Sequence, residues 1–480
     1  MNIPLLIVIG YMIALILIST YSRRLMSKKD SKNYFFAGKS LPWYLVCVMV
    51  AGAGIGGGNT VGVAENAYAA GLASGWYTAS SSAGALTFAL LMLHKVMKTN
   101  ITTVSQIFLK IFGARDGLIS VIVQIIFMFG INSLQIIAGG AILTSLLPTV
   151  FSFTTGMFIS LVLYLAIALI GGYLAASISN LINVLVIYIG LIIGVIASLN
   201  QYNGLEAIKM TLPVGDHWLH FTEGIGFSVI LGWFIVMMLN TPPNQAHIQV
   251  TAASKDYKSA KKGMIAAAIL MAPIGFLAAF LGVVAASQFP GLESRAMALP
   301  MVVSSLGPWI AGFVLSGLWA ASVSTATGVL MGLTTIITKD LIIKFINPQM
   351  SEIKQVVVSK GLLLVTGITG FLVALKISSI LGFLLQLATL FVPYALIVVG
   401  IFYVPKFIKQ STCFWTVLTG ILIILIWNLM PSFRIVSQII YLALPACLIT
   451  MVLCNIFDKR SIHPEILYNK EELEDATVKS

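Results

Sequence analysis

Five glycines stand within seven positions of this chain, in Ala51-Gly-Ala-Gly-Ile-Gly-Gly-Gly-Asn-Thr60, in the middle of an apolar stretch covering 41–73. Each glycine disfavours a helix interior by about 1 kcal/mol relative to alanine, so a helix running into Gly52, Gly54, Gly56, Gly57 and Gly58 is interrupted there. An interruption frees backbone N–H and C=O groups. In an apolar medium these must be satisfied by protein, by water in a cavity or by a ligand. A helix broken near mid-membrane is a recurring mark of a transporter's binding site.

The surroundings make the medium a bilayer. The chain of 480 residues is 59% hydrophobic and 9% charged, against about 25% charged in soluble domains. A membrane span needs about 20 apolar residues. Thirteen candidate spans, numbered here 0 to 12, cover 3–20, 41–73, 75–93, 117–146, 153–170, 177–198, 224–247, 263–288, 308–337, 361–378, 380–404, 412–430 and 435–456. They use nearly the whole chain and leave no soluble domain. The first run has no basic residue before it and is followed by Tyr21-Ser-Arg-Arg, so it reads as a retained span rather than a signal peptide. Cys47, Cys413, Cys447 and Cys454 lie in or beside apolar spans without disulfide or metal spacing and read as small core residues.

The net charge of +12 is explained by topology and needs no nucleic acid. With the N-terminus outside, 24 of the 28 basic residues fall in cytoplasmic segments, leaving Lys209, Arg295, Lys376 and Arg434 elsewhere. This asymmetry predicts N-out, C-in, with the excess charge facing anionic lipid of the inner leaflet. The polar end of the chain, from about 457, reads as a short solvated helix or tail.

A second interruption matches the first. Span 6 contains Leu239-Asn-Thr-Pro-Pro-Asn-Gln245, where two prolines remove two backbone donors. Spans 1–5 and 6–10 therefore each begin with a discontinuous helix. An odd repeat length inverts the second copy in the membrane, and the site falls where the two breaks meet. Span 8 supplies hydroxyls nearby in sequence pattern. In Ala321-Ser-Val-Ser-Thr-Ala-Thr327, Ser324 and Thr325 are adjacent, with the Ala321 carbonyl one turn earlier. A sodium ion is hard and takes oxygen ligands. Carbonyls freed in span 1 would complete such a shell. An isolated Ser-Thr pair in a membrane helix more often bonds back to its own backbone; its pairing with the break in span 1 favours an ion.

These residues resemble the sodium/solute symporters, a family that includes sodium/proline, sodium/galactose, sialic-acid and pantothenate transporters. The resemblance runs from about Tyr11 to about Lys409. It is carried by Tyr34-Phe-Phe-Ala-Gly-Lys-Ser-Leu-Pro-Trp43, by the spacing of Gly62, Tyr68 and Gly71, by Gly171-Gly-Tyr-Leu-Ala-Ala-Ser177, and by Ser324-Thr325 followed by Thr338-Lys-Asp340. It implies an all-α polytopic membrane protein of LeuT type: an inverted five-helix repeat with an extra N-terminal span, about 13 transmembrane helices in all. The implied division is 1–40 (extra span and basic loop), 41–404 (transport core), 405–456 (two further spans) and 457–480 (cytoplasmic tail). The implied sodium ligands are the carbonyls of Gly52, Ile55 and Ala321 and the hydroxyls of Ser324 and Thr325. The implied substrate positions are Gly54, Gly58 and Asn59, the 80–82 region of span 2, Met237 and Asn240 in span 6, and Gln386 in span 10.

Three positions depart from the family pattern. Gly54 has no side chain where many members carry a polar or acidic one. Ile178-Ser-Asn180 replaces Trp-Thr-Asp, and an uncharged Asn180 argues against a second sodium. Tyr173 follows the double glycine where smaller residues are usual.

Glu65 is the acidic residue well inside an apolar span. Such a group is by default a functional candidate. Its place toward the outer end of span 1 leaves two readings, a solvated vestibule or packing role, and proton or cation coupling. Asn132, Gln135 and Asn183 are expected to bond between helices, and His94 and His247 to sit at the interface. No paired acid–base set, metal cluster or nucleotide loop appears in the apolar core, so an enzyme is not expected. The sequence predicts sodium-coupled uptake of a small organic solute, a zwitterion such as proline or another small carboxylate. The rivals are proton coupling through Glu65 and a non-transporting sensor. The short tail after span 12 weakens the sensor.

Overall fold

The computed structural model describes residues 3–25, 39–99, 101–170 and 173–468. The early part of the 34–43 stretch, Gly171-Gly172, Lys28, Lys29, Lys32 and the tail from 469 lie outside them. Among the described residues the fold is all helical. Pairing of extended backbone is limited to three isolated bridges, Leu41 with Ser254, Thr99 with Tyr468 and Lys409 with Ser461.

Each of the thirteen apolar segments contains helix, and eight helical stretches are long and apolar enough to cross a membrane. Span 1 is two helices, Trp43–Ile55 and Gly57–Ala70. They meet at Gly56, whose ψ of 160° turns the chain out of the helix. Span 6 is likewise Phe227–Asn240 and Gln245–Ala253. Span 10 is also divided, into Ile380–Thr389 and Val392–Tyr403. Pro393 in the first turn of that second helix is the sequence signal for the division.

Some boundaries differ from the sequence reading. Span 7 begins at Tyr257, because the Asp256 carboxylate caps it by accepting from the Ser259 N–H at 2.7 Å. Lys258, Lys261 and Lys262 are therefore on the helix, not in a loop. The basic connection between spans 2 and 3 holds its own helix, Val104–Phe112. It buries Val104, Ile107, Phe108, Ile111 and Phe112 on one face, with Lys110 on the other. Spacing of three and four residues between those apolar positions explains it.

Span 7 is the helix that both halves of span 1 and span 2 lie against. Its glycines make the approach possible. A Cβ on Gly263 would stand 2.5 Å from the Trp43 carbonyl oxygen, one on Gly275 2.5 Å from that of Gly75, and one on Gly282 2.4 Å from that of Ala64. Small residues at these points let backbones touch, the usual basis of helix association where apolar burial gives no advantage over lipid. Span 8 packs against spans 3 and 5, and span 0 packs against both 5 and 8. All four cysteines are buried and free.

The obstruction at Gly282 is backbone and cannot rotate away. Gly282→Ala should therefore destabilise the detergent-solubilised protein by about 2 kcal/mol, read as a lowered thermal midpoint. Gly361, with open space around it, serves as the control and should tolerate alanine.

Candidate functional site

The break in span 1 lies beside span 8. Thr325 Oγ1 is 3.5 Å from the Gly52 carbonyl oxygen, and Ser324 Oγ donates to the Ala321 carbonyl at 3.1 Å. Four of the five oxygen-bearing residues singled out in the sequence are thus paired across or along the two spans. The fifth, Ile55, offers a carbonyl that accepts from Thr60 Oγ1 at 2.7 Å. The carbonyl of Ala53 accepts from Asn59 Nδ2 at 2.7 Å. Backbone oxygens released by the glycine run are therefore held by nearby hydroxyl and amide groups.

Gly56 itself matters for space. A Cβ there would fall 2.7 Å from Thr325 Oγ1 and 2.8 Å from the Gly52 oxygen. The gap between spans 1 and 8 is a cradle of uncharged oxygens that a side chain at 56 would fill, and that donor set suits a hard monovalent cation. Behind it runs a polar chain. Asn183 Nδ2 donates to Ser324 Oγ at 2.9 Å and to the Ala320 carbonyl at 3.2 Å, and Asn183 Oδ1 accepts from the Tyr11 hydroxyl at 2.9 Å. Span 0 is thereby tied through span 5 to the hydroxyl pair. Ser322 Oγ is buried next to Gly57 and has no partner among the described residues, a position the sequence did not single out.

A cavity of about 140 Å³ adjoins this cradle, with Thr325 on its wall. Gly54, Asn59, Ser81, Met237 and Asn240 line it, so spans 1, 2 and 6 meet there as the two breaks predicted. Gly58 does not line it; its N–H instead donates to Gln135 Oε1 at 3.0 Å. Gln386 does not line it either. Leu384 and Ala388 do, and they share a helix face one turn apart on which residue 386 cannot lie.

Several sequence readings change. Gln135 bonds between helices as expected but also lines the cavity. The Asn132 side-chain amide makes no hydrogen bond among the described residues. His247 is not interfacial; it lines the cavity, 5.2 Å from the Phe88 ring, with both ring nitrogens buried and, among the described residues, unpartnered. Tight packing of span 6 against span 2 puts it there, which hydropathy alone does not show. Asn180 lies against Gly52 and donates to Met49 Sδ at 3.3 Å.

Glu65 is 5% exposed, so the open vestibule does not exist around it. Its Oε2 accepts from the Ile380 N–H at 2.8 Å, where the first helix of span 10 begins. The carboxylate is an N-terminal cap supplied by another span.

The site and fold define a secondary transporter built on discontinuous helices. A profile of the sodium:solute symporter family matches residues 34–420. The chain is 25% identical over 382 residues to the sodium/glucose cotransporter of Vibrio parahaemolyticus, covering 72% of this chain and 70% of that one. It is 23% identical over 399 residues to the osmoregulated proline transporter OpuE of Bacillus subtilis (strain 168), covering 79% of each. Its fold is similar to that of a sodium-coupled sialic acid symporter in a substrate-bound outward-open state, with a TM-score of 0.75 at 17% identity, over 96% of this chain and 98% of that one. It is also similar to Mhp1, a nucleobase-cation-symport-1 family transporter, with a TM-score of 0.62 at 13% identity, over 89% and 94%. This protein belongs to the sodium:solute symporter family. Its activity is accordingly secondary active, sodium-coupled transport of a small solute, with no catalytic step.

Glu65→Ala removes the acceptor of a buried N–H and should cost about 2 kcal/mol of stability, whereas Glu65→Gln keeps an acceptor oxygen and should lose less; thermal unfolding of both variants in one detergent decides it. Gly56→Ala should raise the sodium concentration for half-maximal uptake about tenfold, equivalent to roughly 1.4 kcal/mol, because the added methyl enters the cradle.

Proposed function

We propose that this protein couples inward sodium flow to uptake of a small organic solute, an amino acid such as proline or another small carboxylate. One observation carries the reading: the break of span 1 stands against the hydroxyl pair of span 8, with Thr325 Oγ1 3.5 Å from the Gly52 oxygen. In this reading sodium is bound by the carbonyls of Gly52, Ile55 and Ala321 and the hydroxyls of Ser324 and Thr325, and bridges the two spans. The solute occupies the adjoining cavity against Gly54, Asn59 and Asn240. The core 41–404 is an inverted five-helix repeat of LeuT type within about 13 membrane spans, flanked by 1–40, by the spans of 405–456 and by the tail 457–480. The basic segments set it N-out and C-in in a cell membrane.

With that orientation the arrangement is inward-facing. The cavity wall includes Val50 and Ala53 before the first break and Asn244 to His247 after the second, and Ala53 is exposed. On the opposite side the helix Gly57–Ala70 is closed in. Tyr68 there donates from its hydroxyl to the Phe289 carbonyl at 2.8 Å. Sodium binds both the outward- and inward-facing arrangements, and its higher affinity for the outward one is what couples its gradient to the solute. Glu65 is engaged as a helix cap, which favours sodium over proton as the coupling ion.

Purified protein in liposomes should accumulate one labelled amino acid or small carboxylate when sodium is higher outside. Ser324→Ala combined with Thr325→Ala should abolish the sodium stimulation. Uptake by that double variant that still follows the sodium gradient would remove the ion site, and accumulation driven by a proton gradient alone would move the coupling elsewhere.

A further inference from the structure

Span 2 ends beside the start of span 7, and both present an outer side there. On span 2, Leu86, Leu90, His94 and Lys98 recur every fourth residue, and all four are exposed. On span 7, Tyr257, Lys261, Ile265 and Ile269 repeat at the same spacing, and none of them is buried. The two strips meet at their polar ends. The His94 and Tyr257 ring centroids are 5.5 Å apart, edge to face, and Lys261 Nζ lies 5.8 Å from the Tyr257 ring. Each strip is thus apolar along its span and basic and aromatic at its end.

Three ammonium groups gather on this contact. Desolvation, then the charges of Lys98, Lys95 and Lys261, hold the His94 pKa below the ordinary histidine value. Among the described residues none of these lysines is in a salt bridge. Residues 85–100 and 257–270 contain no Asp or Glu. Asp256, at their edge, is taken up in capping the Ser259 N–H at 2.7 Å. The local field is therefore positive and uncompensated.

The rings around the contact set its depth. Lys95 Nζ lies 5.3 Å from the Tyr403 ring and Lys262 Nζ 4.2 Å from that of Trp43. Trp43, Tyr257 and Tyr403 are all exposed. Exposed Trp and Tyr at the ends of spans mark the headgroup level of a bilayer, and lysines lying over them keep their charge at that level. A soluble anion would answer the charge and leave the apolar strips unused. A neutral lipid would cover the strips and leave the charge.

We propose that the junction of spans 2 and 7 binds an anionic phospholipid, with its phosphate among Lys95, Lys98 and Lys261 beside His94 and its acyl chains along the two apolar strips. With the N-terminus outside, it belongs to the inner leaflet. The site goes beyond the general attraction of basic loops to anionic lipid, because it depends on three particular lysines. It also adjoins the broken spans. Trp43 begins the first half of span 1. The Leu41 N–H donates to the Ala253 carbonyl and the Lys255 N–H to the Leu41 carbonyl, both at 3.0 Å, which fastens that half to the end of span 6 just before the Asp256 cap.

The test uses the full-length protein in detergent, with lipid binding titrated by native mass spectrometry. Phosphatidylglycerol should bind about tenfold more tightly than phosphatidylcholine of the same chains. Lys95→Gln, Lys98→Gln and Lys261→Gln combined should remove that preference, and arginine at the same three positions should keep it. Lys110→Gln, Lys354→Gln and Lys360→Gln combined, which removes the same charge elsewhere, should also keep it. Equal affinity for the two lipids overturns the site. So does a preference that survives the first glutamine variant or disappears equally in the second. Displacement of phosphatidylglycerol by millimolar glycerol 3-phosphate overturns the lipid as occupant and leaves a soluble organophosphate. Binding is read without transport, so a lysine-dependent preference in a protein that accumulates no solute upholds the lipid site and counts against the transport reading alone.

Discussion

A backbone carbonyl or N–H released inside an apolar bundle has no water to turn to, and leaving it bare costs several kcal/mol. This chain releases such groups at the glycine run of span 1, the double proline of span 6 and the start of span 10. Each is supplied by a different part of the bundle. Gln135 of span 3 takes the Gly58 N–H, Thr325 of span 8 reaches the Gly52 carbonyl, and Glu65 of span 1 takes the Ile380 N–H. At span 6, Gln124 Nε2 donates to the Pro243 carbonyl at 2.9 Å, and Thr241 Oγ1 donates to the Gly84 carbonyl at 3.0 Å. The interruptions are thus the points at which the helices are fastened to one another, and the transport core is organised around them.

Fastening by polar groups requires close approach, and glycines in span 7 provide it. Because span 7 touches both halves of span 1, the two half-helices share one packing partner although no continuous hydrogen-bonded ladder joins them. On the other side of the site, the run Tyr11–Asn183–Ser324 gives the hydroxyl pair a fixed orientation from behind. Ser324 accepts from Asn183 while donating to Ala321, so its remaining lone pair is the one free to face a cation. The placement of span 0 against spans 5 and 8 gives that extra helix a structural role in the site and not merely in membrane anchoring.

The cavity has no fixed charge on its described wall, and this bears on how an ion and a solute can be coupled. A carboxylate in the cavity and a cation in the cradle share Thr325 as a common wall. In a low-dielectric interior opposite charges attract much more strongly than in water, so an anionic solute group there would favour the cation's binding and the cation the solute's. The same neutrality explains why His247 stands out. It is the ring on that wall whose two nitrogens find no partner among the described residues.

The sequence by itself determined the class of fold and two of the three places where its spans break; the division of span 10 came only with the structure. Composition and apolar length set the spans, because a bilayer leaves helices few alternatives. The Gly52–Gly58 run and Pro242-Pro243 set two interruptions, because those residues fail as helix interior wherever they occur. Ser324 and Thr325 were legible for the same reason, as hydroxyls in an otherwise apolar helix. Which polar residue faces which neighbour was decided only by tertiary structure. Glu65 was open between a vestibule or packing role and coupling, and the structure buries it as the cap of a helix in another span. His247 looked interfacial and lies on the cavity, and Gln386 looked like a substrate contact and lies off it. Span membership fixes how deep a residue sits along its helix, but the rotation of that helix about its axis, and so the partner its side chain meets, follows from glycine-mediated packing against spans remote in sequence.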